Sequence, residues 1–403
     1  MTRIAITGLG QISAMGHDVP TFWSNAKAGR PGIGKVSPEL YDHLTYKMAA
    51  EVRDYQPADH FANRHANMLD RFSQFSIIAA REAVASAALD LSGALATETA
   101  VVAGTGAAGL TTLDEAYHRL YARNARLHPL TIPRFMVSAA ASQISMDLGI
   151  RGACFSVSSA CSTSNHALGV AMMMLRTGQS RIVLAGGSET SFSIGAMKAW
   201  EALRVVAPDT CRPFSRDRKG MIVGEGAGIL VLETFESAEQ RGVPILAELL
   251  GFGFCADADD LVQPAADGAI MSMERALADG GVAPEEIDYI SAHGTGTQLN
   301  DVNETRAIRH VFGDHADKLV ISATKSMHGH CLGASGALEM IATVNAMKES
   351  IAPPTANFTE PDPECDLDYA PNEARPMAIR TALSNSFAFG GLNAALVVRR
   401  MDG

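Results

Sequence analysis

Short, almost wholly aliphatic runs recur along this chain and alternate with helix-forming stretches nearly from end to end. Residues 4–7, 99–103, 181–185, 228–232, 289–291, 319–322 and 394–398 read as strands. Residues 70–88, 267–280, 301–312 and 335–348 read as helices. Strands apolar on both faces must be covered on both faces, so the pattern predicts an α/β protein with its sheets sandwiched between helices. A chain of 403 residues has ample core for this. The Gly/Pro break at Arg241-Gly-Val-Pro-Ile245 predicts two similar α/β halves, 1–245 and 246–403. Ala247-Glu-Leu-Leu-Gly-Phe-Gly-Phe254 faintly echoes the opening Ile4-Ala-Ile-Thr-Gly-Leu-Gly10, as a divergent duplication would.

The net charge of −11 argues against nucleic acid as the main partner, because phosphate binding needs a cationic footprint. No apolar run reaches the roughly 18 residues that span a bilayer, and the first residues lack the layout of a signal peptide. The six cysteines include no C-x-x-C pair and make no disulfide framework, which predicts a reducing, cytoplasmic setting.

One of those cysteines stands apart. In Phe155-Ser-Val-Ser-Ser-Ala-Cys161-Ser-Thr-Ser-Asn-His166 a β-prone stretch stops at small residues, and a helix starts at the thiol. The partial positive charge of a helix N-terminus favours thiolate, so Cys161 is a candidate nucleophile. His293 and His330 occupy similar positions, each in a glycine-containing turn after a strand. Ligands collect beyond the carboxyl ends of strands in open α/β sheets, so the three side chains predict one site. A metal centre is the rival reading, but further ligands at suitable spacing are missing. Gly104-Thr-Gly-Ala-Ala-Gly109 matches the dinucleotide-binding pattern G-x-G-x-x-G, yet no acidic residue lies about 20 positions on. A tight glycine turn close to another backbone explains it as well.

The chain resembles a β-ketoacyl-acyl carrier protein synthase, a type II condensing enzyme of thiolase-like fold with layered αβαβα architecture. The likeness rests on Ser159-Ala-Cys-Ser162, Val223-Gly-Glu-Gly-Ala-Gly228, His293-Gly-Thr-Gly-Thr297, Lys325-Ser-Met-His-Gly-His330 and Asn385-Ser-Phe-Ala-Phe-Gly-Gly391, and spans essentially the whole length. It implies that Cys161 takes an acyl group from a phosphopantetheine thioester, activated mainly by its helix N-terminus. The oxyanion would lie between the backbone N–H groups of Cys161 and Phe389, with Gly390 letting that loop approach and gate the site. Neutral imidazoles at His293 and His330 would stabilise an enolate formed when malonyl-carrier protein loses carbon dioxide. The resemblance further implies a supporting Lys325–Glu339 ion pair, with Asp301 and Thr295 behind the His293 loop and Thr297 near the pantetheine arm. No bound cofactor is implied. Ala388 and Leu392 stand where the family more often has Gly and Thr, and Ala388 should stiffen the gating loop.

Ala107 and Ala108 replace bulk that commonly limits the acyl pocket in fatty-acid members, which predicts a roomier pocket. The two histidine motifs look closer to polyketide-type or nodulation-type ketosynthases than to housekeeping ones. His328 replaces a common Thr and reads either as a third imidazole at the site's edge or as filler of its turn. Carrier protein is acidic, so the expected landing residues are Arg64, Arg123, Arg126 and Arg204. The family works as dimers, and both a homodimer and a heterodimer with a chain-length-factor-like subunit are open. A non-elongating scaffold subunit would normally lack the nucleophile. A thiolase would want a second reactive cysteine near the C-terminus, and Cys365 lies among acids.

Overall fold

The computed structural model describes residues 2–401, leaving aside the side chains of Asn63 and Arg64. The first half contributes strands β1 (Ile4–Ser13), β2 (Thr99–Gly104), β3 (Cys154–Phe155), β4 (Ile182–Glu189) and β5 (Gly226–Thr234). The second contributes β6 (Ala247–Ala256), β7 (Tyr289–Ser291), β8 (Val320–Ser322), β9 (Thr381–Ala388) and β10 (Leu392–Arg400). Their order is β3-β2-β4-β5-β1 in one half and β8-β7-β9-β10-β6 in the other, the same path through five strands. In both, the second strand pairs parallel to the third and fourth, while the fifth pairs antiparallel to the fourth and first. A short ladder between Ile4–Ile6 of β1 and Ala247–Leu249 of β6 joins the two sheets.

The helices that cover these sheets are α1 (Arg71–Ser86), α2 (Leu110–Arg123), α3 (Ala139–Leu148), α4 (Thr163–Arg176), α5 (Ile194–Ala202), α6 (Ala266–Gly280), α7 (Gln298–Phe312) and α8 (Ser335–Glu349). Helices α4 and α8 pack on each other between the sheets, α1 and α3 cover the outer face of the first sheet, and α6 covers that of the second, with α7 packed on it. The layering is therefore αβαβα. Strand alternation divides the core accordingly. Val183, Ala185, Leu230 and Leu232 face the middle layer, while Ile182, Leu184, Ile229 and Val231 join the cluster under α1 and α3. Leu396 and Val398 face the middle layer and Ala395 and Val397 the cluster under α6 and α7.

The glycine echo between the halves has a packing cause. A Cβ on Gly10 would lie 2.0 Å from the carbonyl of Ala79 in α1, and one on Gly253 would lie 2.1 Å from that of Ser272 in α6. Each half thus needs a bare backbone where its first covering helix crosses its first strand. Among the described residues no helix is long and apolar enough to cross a membrane.

Candidate active site

Cys161 sits in a 3-10 turn, Ala160–Ser162, that leads directly into α4. Ala160 is held at φ +48°, a left-handed conformation costly for a side chain, and the rest of the turn is pinned from the other half of the chain. Ser162 Oγ donates to the carbonyl of Ser386 at 2.8 Å and shares a 2.7 Å contact with that of Leu392. Those carbonyls flank the loop that carries Phe389, so one hydroxyl ties the nucleophile turn to it. Gly390 and Gly391 adopt φ +79° and +66°, and a Cβ on Gly391 would lie 2.6 Å from that of Asp257. The loop is further held by the Gly390 N–H donating to the Leu261 carbonyl at 2.8 Å, and the Phe389 ring stacks on Trp200 at 6.3 Å between centroids.

His330 Nε2 lies 3.0 Å from Cys161 Sγ. The N–H of Leu332 donates to His330 Nδ1 at 3.2 Å, and Ser335 Oγ lies 2.9 Å from the same nitrogen. Since Nδ1 accepts from a backbone donor, this network assigns the ring proton to Nε2, facing the sulfur. His293 is placed by the same logic. Lys325 Nζ lies 3.4 Å from His293 Nδ1 and donates to the His293 carbonyl at 2.7 Å, while Glu339 Oε1 accepts from the same ammonium. The two imidazoles stand edge to face, 5.5 Å between centroids. Burial, reinforced by Lys325, holds both well below the ordinary imidazole value, so both are neutral donors.

The thiol departs from the expectation that it is activated mainly by its helix N-terminus. Burial pushes Cys161 up to about 12, against the opposing pull of Lys325 and of the N–H groups of Phe389 and Cys161 itself. Desolvation outweighs these donors, so the resting nucleophile is a thiol. The Phe389 and Cys161 N–H groups nonetheless converge on the sulfur, which is the placement an oxyanion hole needs.

Two buried acids that the sequence reading missed brace this centre. Glu304, on α7, accepts the N–H groups of His293 and Gly294, each at 2.8 Å, and is joined by Asn385 Nδ2 at 3.2 Å. Glu189, at the end of β4, accepts four donors around the turn after β2 and the turn after His330. Burial raises both carboxyls to about 7. The only hint in the sequence was Glu304's position three residues after Asp301 on the same helix.

Asp301 accepts the N–H groups of Phe214 and Gly296, so it supports the His293 loop from behind without touching the imidazole. Thr295 and Thr297 lie 2.9 Å apart, hydroxyl to hydroxyl, and both line a cavity of about 300 Å³. That cavity runs from Cys161, His293 and His330 past Phe389 to a rim with Arg204 and Lys219.

Ala107 and Ala108 do not line it. Their turn packs beside Ala160, and the Ala107 N–H is taken by Glu189, so the acyl-pocket assignment of these two residues draws nothing from this cavity. The same carboxylate explains the glycine-rich motif there, because the Gly106 and Ala107 N–H groups that a pyrophosphate would need are already bonded. Arg123 and Arg126 are exposed but away from the rim, Arg126 lining a small separate cleft. The Arg64 side chain lies outside the described residues.

His328 is fully buried, its Nε2 paired with Thr324 Oγ1 at 3.0 Å. It does not line the cavity, which favours filler of the turn over a third imidazole. Cys365 is buried in a different cluster and does not line the cavity, so it does not stand beside Cys161 as a second nucleophile. Among the described residues no group of His, Cys, Asp or Glu is arranged to hold a metal ion.

A thiol that can carry an acyl group, with three N–H donors around it, a second imidazole beside them and a cavity leading in, meets the needs of an acyltransferase that condenses thioesters. The family model for the beta-ketoacyl synthase N-terminal domain matches residues 1–238, and that for its C-terminal domain matches residues 246–359. The chain is 46% identical to nodulation protein E of Rhizobium sp. (strain N33) and 38% identical to 3-oxoacyl-[acyl-carrier-protein] synthase 2 of Staphylococcus aureus (strain N315), covering 99% of each chain in both cases. Among solved structures it superposes on the ishigamide ketosynthase/chain length factor with a TM-score of 0.93 at 35% identity. A type II polyketide ketosynthase in complex with its acyl-carrier protein gives 0.90 at 32% identity, and both matches cover 100% of each chain. The chain belongs to the β-ketoacyl synthase family and has its thiolase-like fold.

Proposed function

We propose that this protein carries an acyl chain on Cys161 and extends it with malonyl-carrier protein by decarboxylative Claisen condensation. The observation that carries this reading is the 3.0 Å approach of His330 Nε2 to Cys161 Sγ, in a network that leaves the histidine a donor. In the first half-reaction Cys161 sulfur attacks an acyl thioester, and the Phe389 and Cys161 N–H groups hold the oxyanion. The thiol proton leaves with the pantetheine sulfur. In the second, malonyl thioester loses carbon dioxide, and the resulting enolate oxygen takes the Nε2–H groups of His293 and His330. The enolate carbon attacks the acyl-Cys161 carbonyl, the sulfur leaves, and one proton taken up restores the thiol. No step calls for a bound cofactor, since the substrates arrive on the phosphopantetheine of carrier protein.

Arg204 and Lys219 at the rim suit an acidic carrier protein. The higher identity to nodulation protein E than to the Staphylococcus aureus enzyme supports a specialised lipid or polyketide pathway. β3 is an edge strand with Phe155 exposed, and Ile132 and Met146 nearby in sequence are 63% and 65% exposed, which supports a dimer formed through this edge. A homodimer in a reducing cytoplasm is the first reading. The ketosynthase/chain length factor likeness favours a heterodimer as the second.

Mixing the purified protein with acyl- and malonyl-carrier proteins should release carbon dioxide and yield a product two carbons longer, with the acyl group trapped on Cys161 by mass spectrometry. A Cys161→Ala variant that still extended acyl chains would overturn the mechanism.

A further inference from the structure

Glu189 is a buried carboxylate in which both oxygens are fully used, and the steps above do not call on it. Oε1 accepts from Thr105 Oγ1 at 3.0 Å and from the Ala107 N–H at 3.2 Å. Oε2 accepts from the Gly106 N–H at 2.7 Å and from the Gly333 N–H at 3.1 Å. The first three donors belong to the turn after β2, which packs beside Ala160 and so beside the nucleophile turn. The fourth belongs to the 3-10 turn Leu332–Ala334, which follows His330. Gly333 has no room for a side chain here, since a Cβ on it would lie 2.5 Å from the Gly106 nitrogen.

Gly333 is gripped on both sides, through the two peptide groups that flank its Cα. Its N–H goes to Glu189, and its carbonyl accepts from Ser164 Oγ of α4. One residue earlier, the Leu332 N–H donates to His330 Nδ1, although Leu332 is held at φ +44°, where a branched side chain is strained. That donor fixes the tautomer of His330. The turn closes through the Ala334 N–H donating to the Cys331 carbonyl at 2.8 Å, and Glu189 and Ser164 add the holds from outside it. We propose that Glu189 is a positioning residue for the decarboxylation step, holding the Leu332–Ala334 turn so that Leu332 keeps the His330 proton on Nε2. The inference rests on the condensing role of His330 set out above.

In Glu189→Gln, one acceptor oxygen becomes an NH2 group facing two donors. Whichever way the amide turns, either the Gly333 and Gly106 N–H groups or the Ala107 N–H lose their acceptor, while the Thr105 hydroxyl can turn to accept from the new NH2. Gly333 and Gly106 share one oxygen and the shorter contact, so the His330 turn is exposed to the change in one of the two orientations and the neighbouring turn in the other. Ser164→Ala releases Gly333 on its carbonyl side, removing one oxygen from a buried serine without adding bulk.

The test uses full-length protein labelled with 15N-histidine, the His330 signals being assigned by their loss in His330→Gln. Wild type should show one protonated nitrogen, Nε2, and one bare nitrogen, Nδ1. In folded Glu189→Gln, or in Ser164→Ala should the first not fold, the two signals should move toward each other as the tautomers mix. Carbon dioxide release should fall about 10-fold or more, while acylation of Cys161 stays within about threefold of wild type. Unchanged His330 signals in both variants, or acylation and decarboxylation falling together, would overturn the positioning role. The nitrogen signals need no turnover, so they can fail while the condensing activity stands, and they can hold even if that activity is absent.

Discussion

Replacing Lys325 by Met separates two roles that one ammonium now combines. Nζ is buried, donates to Glu339 Oε1 and to the His293 carbonyl, and lies 3.4 Å from His293 Nδ1. Its removal leaves Glu339 without a cation where burial already raises the carboxyl to about 7. Breaking a buried pair from one side costs roughly 3–5 kcal/mol. Adding Glu339→Gln removes the orphaned charge and should restore most of that loss. The effect on chemistry has a different origin. Without a donor at Nδ1, His293 is no longer obliged to carry its proton on Nε2, where the enolate needs it. A hydrogen bond from a charged group is worth roughly 1.5–3 kcal/mol, which converts to about 10- to 150-fold in the rate of decarboxylation. The urea midpoint reads stability, and labelled carbon dioxide from malonyl-carrier protein reads chemistry. Lys325→Met should be unstable and slow, and the double variant stable and equally slow. If the double variant regained its rate along with its stability, Lys325 would be a counter-ion for Glu339 and nothing more.

Protonation of His293 or His330 would add charge in a buried site beside Lys325, so both stay neutral as pH falls through 6.5. Carbon dioxide release should therefore show no acid limb owed to either imidazole between about pH 8 and about pH 5, any limb in that range belonging to the buried acids Glu304 and Glu339. A limb near the ordinary imidazole value that persists in Glu304→Gln and vanishes in His293→Gln would refute this. In the unfolded chain both rings titrate normally, so their contribution to stability is complete above that value and lost as pH falls toward the depressed folded values. Glu304→Gln turns a donor toward a backbone N–H of the His293 turn and should cost about 1–3 kcal/mol, lowering kcat more than KM in steady-state assays with malonyl-carrier protein. Paired charge reversal at Arg204 and Lys219 should raise KM for carrier protein about 10-fold at low salt and much less at high salt. If reversal at Arg123 and Arg126 produced that salt-dependent rise instead, the carrier protein would land on the end of α2 rather than on the rim.

Strands that are apolar on both faces are legible without structure, because no other element uses such short, bounded runs. β9 escapes that reading because Ser384, Asn385 and Ser386 interrupt it, although all three are buried. Of their side chains, the Asn385 amide donates to Glu304 while the Ser384 and Ser386 hydroxyls are buried without a hydrogen-bond partner, and no local pattern announces either. Cys161, His293 and His330 are legible for a related reason, since reactive side chains beside glycine and serine after a strand have few other uses. Glu189 and Glu304 are not, because an acid at a strand end or within a helix normally faces water. Only the converging backbone donors distinguish them. The thiol shows the limit most directly. Its helix N-terminus is readable and acts in the expected direction, but the depth of burial that opposes it depends on both halves of the chain.

The shared topology explains why the chemistry sits where the halves meet. Cys161 follows β3 in the turn before α4, and His330 and Gly333 follow β8 just before α8, so corresponding places in the two halves supply the nucleophile and an imidazole. Ala160 and Leu332 open those two turns, both at left-handed φ. Neither turn is held by its own half alone. Ser162 reaches β9 and β10, and Gly333 is gripped by Glu189 from β4 and Ser164 from α4. Strained backbone persists only where its surroundings over-determine it, and here each half supplies the surroundings for the other. Misalignment of the halves would therefore loosen the sulfur and the imidazole together. A single half, even if it folded, would present its reactive residue on a relaxed turn with its donors pointing elsewhere.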